Sequence, residues 1–190
     1  MKIEMYKVIC IIGKSGVGKD TLAKELMNSS NKFHFIKSYT TREVRKNDPE
    51  DIKTHTFVSE KFRNETKEEI LVEYINEQKG YCSWVDKTLF DKDKINLFVI
   101  DIDAFIKLNK RKDMDIRVVY LQLSEIERER RYKNRNKEIK VPKDKHLSLE
   151  YLMVKQPEIN NKIHIINTNQ KTPSQIKDDV LKELSSFINI

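Results

Sequence analysis

The sequence predicts an α/β fold with a parallel central sheet and helices on both of its faces. Apolar runs rich in isoleucine, leucine and valine recur at residues 8–12, 97–100, 116–123 and 163–166, and a shorter run lies at 33–37. Continuous apolar runs of this length are typical of strands that are buried on both faces. Segments with helical spacing separate the runs, and this alternation indicates a parallel sheet.

Helices are predicted from the spacing of apolar residues and from capping residues. Apolar residues at 22–27 follow the helical period, so a helix is expected directly after the first strand. Ser124 with Glu127, and Thr172 with Gln175, have the spacing of capping boxes at helix starts. The predicted helices are residues 19–28, 103–109 with Asp103 as a cap, 147–155, one beginning at Ser124, and one from Thr172 to about residue 188.

The stretch 38–90 interrupts the alternation of strand and helix. Residues 70–76 and 81–83 flank Gly80 and are predicted to pair as a hairpin, and a short helix is expected from Ser59. Residues 42–56 are highly charged and include a proline, so a loop is expected there. We therefore expect a small subdomain inserted into the sheet core.

Composition restricts the class of protein and of partner. The chain has 190 residues, of which 38% are hydrophobic and 35% charged, so one domain with a real core is expected. The net charge of +7 favours anionic partners, namely nucleic acid, acidic lipid or phosphorylated small molecules. Cys10 and Cys82 lack metal-ligand spacing, and no apolar run is long enough for a signal or a membrane span. A cytoplasmic protein with reduced thiols is expected.

A phosphate-binding loop is predicted between the first strand and the first helix. Three of the four glycines, Gly13, Gly16 and Gly18, lie within six residues and are followed by Lys19 in the pattern Gly-x4-Gly-Lys. Glycine lets the backbone wrap around phosphate oxygens with its N–H groups turned inward, and the helix start adds positive potential. The residues expected to bind the nucleoside triphosphate are Gly13, Lys14, Ser15, Gly16, Val17, Gly18, Lys19, Asp20 and Thr21, and Lys19 would reach the β- and γ-phosphates.

One residue of this loop departs from the usual pattern. Asp20 stands directly after Lys19, where a serine or threonine hydroxyl usually binds Mg²⁺, and the hydroxyl comes one residue later at Thr21. A carboxylate next to polyphosphate is repelled unless it faces away or meets the metal. Thr21 is therefore the predicted metal ligand.

Beyond the loop, the sequence resembles the guanylate kinase family over about residues 6–187. The motifs come in the family's order along the chain. They are the loop at 13–22, Ser38-Tyr-Thr-Thr-Arg42 with Arg45, Phe57-Val-Ser59, Glu73, Tyr81 with Ser83, Asp101-Ile-Asp103, Arg130-Arg131-Tyr-Lys-Asn-Arg135, and Asn167.

The resemblance implies a P-loop NTPase three-layer fold and transfer of phosphate from ATP to GMP or dGMP, with Mg²⁺. It divides the chain into a core at about 1–37, 91–127 and 160–190, an acceptor-binding insertion at about 38–90, and an arginine-rich lid at about 128–159. The implied substrates are ATP and a nucleoside monophosphate, with neither nucleic acid nor membrane as a partner.

The resemblance also implies roles for individual residues. Arginine forks suit the acceptor phosphate, and a carboxylate suits the N–H donors of guanine. Ser38, Arg42, Arg45 and Tyr81 are thus implied for the phosphate, Glu73 and Ser83 for the base, Asp101 for the metal or acceptor, Asn167 for adenine, and Lys19, Arg131 and Arg135 for the transferring group.

Two departures keep alternatives open. The family's tyrosine before the Phe57 strand is replaced at Thr54 or His55, and the segment before Tyr81 is one residue shorter than in the family. A kinase for another nucleoside monophosphate is therefore an alternative. The others are a non-catalytic interaction module and a nucleic-acid-binding ATPase, the latter because nine lysines and arginines lie in residues 128–145.

Overall fold

The structure is a computed structural model that describes residues 5–45, 51–134 and 148–188. The described strands are β1 (Tyr6–Ile12), β2 (Phe33–Phe35), β3 (Ser38–Thr40), β4 (His55–Phe57), β5 (Ile70–Asn76), β6 (Tyr81–Asp86), β7 (Ile95–Val99), β8 (Met114–Gln122) and β9 (Ile163–Asn167). The described helices are α1 (Lys19–Ser29), α2 (Asp51–Thr54), α3 (Glu60–Thr66), α4 (Ile102–Leu108), α5 (Glu125–Lys133), α6 (Leu149–Lys155), α7 (Pro173–Glu183) and α8 (Ser185–Ile188), with 3-10 turns at Lys67–Glu69, Lys87–Leu89 and Pro157–Lys162.

The central sheet has five parallel strands in the order β2-β7-β1-β8-β9. Along β1, Val8 and Cys10 enter the core on one face of the sheet, and Ile9 and Ile11 enter the core on the other. Because both faces are buried, the strand is apolar throughout rather than alternating. The predicted parallel sheet is confirmed.

Helices cover both faces of this sheet. On one face, α1 and α7 contribute Leu22 and Val180 to the core that contains Ile9. On the other face, α4 and α6 contribute Phe105 and Leu152 to the core that contains Val8. The three-layer α/β architecture is therefore confirmed.

A second, four-stranded sheet with the order β4-β3-β6-β5 is formed within residues 38–86. The predicted hairpin is confirmed, because β5 and β6 pair antiparallel on either side of the Gly80 turn. The expectation of a loop at 42–56 is wrong for part of that segment. There, Asp51 begins α2, and β4 pairs parallel with β3.

Two helix starts differ from the predictions. Asp101, not Asp103, caps α4, since its Oδ1 accepts from the backbone N of Ala104 at 2.7 Å. Ser124 caps α5 through the backbone N of Glu127. However, the backbone N of Ser124 donates to Asn169 Oδ1 at 3.1 Å, which replaces the second half of the predicted capping box.

The capping box of Thr172 and Gln175 is present as predicted, but α7 ends at Glu183 and the short α8 follows. Within the described part of the chain, none of the helices has the length and apolar character that crossing a membrane requires.

Candidate active site

The loop between β1 and α1 has the backbone conformation that its glycines predict. Gly16 and Gly18 have φ angles of 85° and 105°, in the left-handed region that glycine adopts without strain. Gly13 is required for a different reason. A Cβ there would lie 2.7 Å from the carbonyl oxygen of Leu121 on β8, so a side chain has no room. The sequence of this loop thus determines its shape locally.

Lys19, the first residue of α1, lies folded over this loop. Its Nζ donates to the carbonyl oxygens of Gly13 at 2.7 Å and Lys14 at 3.2 Å. The ammonium group is therefore held within the loop, where a bound polyphosphate would meet it. The carbonyl contacts fix the loop without consuming any of its N–H donors.

Helix α5 packs against the same loop. The Tyr132 ring lies so close to Gly16 that a Cβ there would approach it to 2.9 Å. Arg131 donates from its two terminal nitrogens to the carbonyl oxygens of Val17 at 3.2 Å and Thr168 at 3.3 Å. Arg131 thus contacts the loop, and its role toward a triphosphate stays a prediction, whereas Arg135 lies outside the described residues.

Other predicted donor-side residues lie around the loop. The Lys14 ammonium forms an ion pair with Glu125 on α5, and Asp20 and Thr21 are both exposed in the first turn of α1. At the end of β9, Asn167 Oδ1 accepts from the backbone N of Asn169 at 2.9 Å. The roles of these residues toward a nucleotide stay predictions.

A cavity of about 240 Å³ lies between the second sheet and the carboxyl end of β7. Six of the residues predicted for the acceptor line it together. They are Ser38, Arg42, Arg45, Tyr81, Ser83 and Asp101. His55, Tyr74, and apolar residues of β5, β6, β7, the segment after β7 and α4 complete the lining.

Arg42 is held in this cavity by a buried acid that the sequence analysis did not single out. Both terminal nitrogens of Arg42 donate to the Asp51 carboxylate, which also accepts from the backbone N of Arg45 at 2.9 Å. Asp51 is 2% exposed, and the hydrogen bonds from Arg42 lower its pKa to about 2. The only trace of this pairing in the sequence is one acid nine residues after an arginine, which is too common a spacing to be noticed.

His55 lies in the same cavity, at the position where the expected tyrosine is missing. Its Nδ1 is 2.9 Å from the Thr54 hydroxyl and 3.4 Å from an Arg42 nitrogen. Burial, followed by the nearby Arg42 charge, lowers the pKa of His55 below its usual value, which favours the neutral ring. A neutral ring with Nδ1 facing Arg42 leaves Nε2 as the N–H donor.

Glu73 is not brought together with the other acceptor residues. Its carboxylate accepts from Arg63 Nε at 2.7 Å on α3, and it is not among the residues that line the cavity. The neighbouring Tyr74 lines the cavity instead. The reason is strand alternation, because adjacent residues of β5 face opposite sides of the sheet.

No group of three or more His, Cys, Asp or Glu side chains in the described ranges could hold an ion. Mg²⁺ is commonly bound by one or two protein oxygens together with substrate phosphates and water, so such a group is not needed. The Thr21 hydroxyl and the Asp101 carboxylate are oxygen donors of the kind that fits it.

Comparison with known proteins is consistent with this geometry. A family model described as guanylate kinase matches residues 5–158. A guanylate kinase of Prochlorococcus marinus subsp. pastoris is 26% identical over 185 residues, which cover 96% of this chain and 98% of that protein. A guanylate kinase of Clostridium tetani is 27% identical over 205 residues, with 98% of each protein covered.

Among solved structures, the guanylate kinase from Anaplasma phagocytophilum superposes with a TM-score of 0.58 at 19% identity. The match covers 98% of this chain and 86% of that one, and it shows a shared fold.

Proposed function

The chain belongs to the guanylate kinase family, since the family model matches most of it, and we propose that it transfers the γ-phosphoryl group of ATP to GMP or dGMP. One observation carries the proposal. β1 leads into the Lys19 loop, β7 leads into Asp101 on the cavity, and these two strands are parallel neighbours. Their carboxyl ends therefore meet at one edge of the sheet, where ligands of such folds bind.

On the donor side, the loop at residues 13–21 would hold the triphosphate of ATP. Backbone N–H groups and the start of α1 supply positive potential, and Lys19 would contact the β- and γ-phosphates. Asn167 would lie beside adenine. Mg²⁺, when bound, neutralises charge on the phosphate oxygens, and Thr21 with Asp101 would hold it.

On the acceptor side, the monophosphate would bind between Arg42 and Arg45. Asp51 already orients the Arg42 side chain, which therefore loses little freedom when a phosphate binds, and the phosphate would share the terminal nitrogens with that carboxylate. Ser38, Tyr81 and the N–H of His55 would add neutral donors. An oxygen of the acceptor phosphate then attacks the γ-phosphorus. The bond between the γ-phosphorus and the β,γ-bridging oxygen breaks, and ADP is released.

Arg131 and Arg135 would stabilise charge on the transferring group. Arg131 contacts the loop carbonyl of Val17 at 3.2 Å, close enough for a short movement to bring it onto a phosphate. Closure of the segment at about 128–159 would also exclude water and so limit hydrolysis of ATP. This division into core, insertion and lid belongs to the proposal.

The proposal extends to partners and location. We propose that ATP and a nucleoside monophosphate are the anionic partners that the net charge of +7 favours, rather than nucleic acid or a membrane. Cys10 and Cys82 are free and buried, which agrees with the reduced thiols expected of a cytoplasmic protein.

The placement of Glu73 favours a second candidate, a kinase for another nucleoside monophosphate, because a carboxylate expected for guanine does not line the cavity. A coupled assay of ADP formation with every ribo- and deoxynucleoside monophosphate decides between the two. We expect GMP and dGMP to give the highest kcat/KM. Another preferred monophosphate would support the second candidate, and ATP consumption independent of any monophosphate would contradict both.

A further inference from the structure

The two faces of β5 are distinguished by its register with β6. Glu73 pairs with Trp84, and Tyr74 pairs with Ser83. Trp84 packs against Phe62 of α3 at 6.4 Å between ring centroids, so its face of the sheet is covered by α3. Tyr74 and Ser83 lie on the opposite face and line the acceptor cavity, and Trp84 also borders that cavity.

Glu73 is fixed on the α3 face by a hydrogen-bonded ion pair. Two nitrogens of Arg63 donate to Glu73 Oε1 at 2.6 and 2.7 Å. Turning Glu73 into the cavity would require a one-residue slip of β5, which would also move every other side chain of the strand to the other face.

Tyr74 lies at a suitable distance from the phosphate-binding arginines. In the sheet order β4-β3-β6-β5, two strand spacings separate β3, which leads into Arg42, from β5. With neighbouring strands about 5 Å apart, β5 lies about 10 Å from β3. The base of a nucleotide whose phosphate is held by Arg42 extends over a distance of that order.

The hydrogen bonds around Tyr74 and Ser83 determine what each hydroxyl offers. The Thr40 hydroxyl gives its proton to the carbonyl oxygen of Cys82, so Ser83 donates to Thr40 at 2.8 Å and keeps its lone pairs for a ligand. The Tyr74 hydroxyl accepts from Asn76 Nδ2 at 3.3 Å, so its own proton can be donated. The wall therefore presents a donor at Tyr74 beside an acceptor at Ser83.

We propose that Tyr74, rather than Glu73, is the residue of β5 that reads the acceptor base, and that its hydroxyl donates to a carbonyl at C6 of a purine. This inference rests on the proposed transfer to a nucleoside monophosphate. Ser83 and Asp101 then accept from the N–H groups of the same base. Guanine has the required carbonyl, whereas adenine has an amino group there, so the Tyr74 proton distinguishes the two.

The experiment compares wild type, Tyr74→Phe and Glu73→Gln by kcat and KM for GMP and AMP and by Tm. Tyr74→Phe should lower kcat/KM for GMP by about tenfold through KM, with little change for AMP, because one hydrogen bond is lost. Glu73→Gln should lower Tm through its lost pair with Arg63 and change the GMP-to-AMP preference by less than twofold.

The opposite pattern, in which Glu73→Gln reduces the preference and Tyr74→Phe does not, overturns the inference. So does an unchanged preference in both variants. A wild-type protein that phosphorylates no monophosphate contradicts the proposed function itself. The two failures can be told apart, because the inference about Tyr74 is tested only when the wild-type protein phosphorylates GMP. Arg63→Gln serves as the matched control for Glu73→Gln, since it breaks the same ion pair from the α3 side. It should lower Tm by a similar amount and leave the GMP-to-AMP preference of the wild-type protein unchanged.

Discussion

The donor loop, residues 13–21, and the acceptor cavity differ in how their sequences determine their chemistry. The donor loop is made largely of backbone, and glycines at fixed spacing give it one shape. The acceptor cavity is made largely of side chains from five strands and from α4, and a strand residue contributes only if its strand has the right register. A sequence motif therefore predicts the donor loop directly. For the acceptor cavity, a motif residue is informative only when the face of the strand on which it lies is also known.

The charge in the two regions is also held differently. The Lys19 ammonium is bound by loop carbonyl oxygens, whereas Arg42 is bound by the buried carboxylate of Asp51. Removing a lysine from backbone carbonyl oxygens leaves no unpaired charge and costs little stability. Removing an arginine from a buried carboxylate leaves that charge without a partner and lowers the stability strongly. Substitutions in the two regions should therefore affect activity and stability in different proportions.

The largest expected effect is on the donor side. Lys19→Ala should reduce kcat by on the order of 100- to 1,000-fold, because a charge that stabilises the transferring group is removed. The free energy of unfolding should change little, since the lost partners are backbone carbonyls. Steady-state kinetics and urea unfolding measure both, and Lys24→Ala, at an exposed position of the same helix, is the control. Undiminished turnover in Lys19→Ala would contradict the assignment of the loop.

On the acceptor side, activity and stability should fall together. Arg42→Gln leaves the buried Asp51 carboxylate without its partner and should cost about 3–5 kcal/mol of unfolding free energy, besides raising KM for the monophosphate. Arg45→Gln should raise the same KM with a much smaller loss of stability, because Arg45 is exposed and bonds Asp51 through its backbone. Equal losses of unfolding free energy in both variants would show that the Asp51 carboxylate does not depend on the Arg42 side chain in particular.

Glycine substitutions test whether the loop is rigid. Gly16→Ala should cost about 3 kcal/mol, because a left-handed φ is strained for alanine and its Cβ would meet the Tyr132 ring at 2.9 Å. Gly80→Ala is the matched control, since Gly80 is also left-handed but a Cβ there would meet nothing within 4 Å. It should cost only about 1–2 kcal/mol. Similar values for the two variants would mean that the contact with α5 does not constrain the loop.

The smallest expected effect is a dependence of stability on pH that originates on the acceptor side. Asp51 has a folded pKa of about 2 against a usual value of 3.8, so it stabilises the fold above about pH 4 and this contribution is lost as the pH falls toward 2. The shift corresponds to about 2 kcal/mol. His55 has a lowered pKa, so the unfolded chain takes up its proton first and stability declines as the pH falls below about 6.5.

Urea unfolding from pH 8 to pH 2 measures these two steps. His55→Gln should remove the upper step and leave the lower one, and Asp51→Asn should flatten the lower one at a reduced overall stability. An unchanged profile in both variants would contradict the described network around Arg42.

Much of the fold was predictable because its determinants are local or periodic. The apolar runs of β1, β7 and β8, the three loop glycines and the Thr172 cap each act over a few residues. The capping of α4 by Asp101 rather than Asp103 was not predicted, because both acids precede apolar residues and the sequence pattern does not distinguish them. The pairing of Asp51 with Arg42 places Asp51 at the start of α2, which the charged composition of 42–56 does not indicate.

The candidate site divides in the same way. Ser38, Arg42, Arg45, Tyr81, Ser83 and Asp101 meet at one cavity as the sequence order suggested. Glu73 does not, because adjacent residues of β5 face opposite sides of the sheet, and matching a motif residue by residue does not specify the face. The sequence indicates His55 as a candidate, but its place beside Arg42 depends on the pairing of β4 with β3, which is not a local feature of the sequence.

The most direct test of the account follows the phosphoryl group itself. The purified protein is incubated with Mg²⁺, GMP and ATP that is labelled at the γ-phosphate, and the products are separated. The label should appear in the β-phosphate of GDP in equal amount to the ADP formed, and Lys19→Ala should slow the transfer by on the order of 100- to 1,000-fold. Label released only as inorganic phosphate, at a rate that does not depend on GMP, would contradict it.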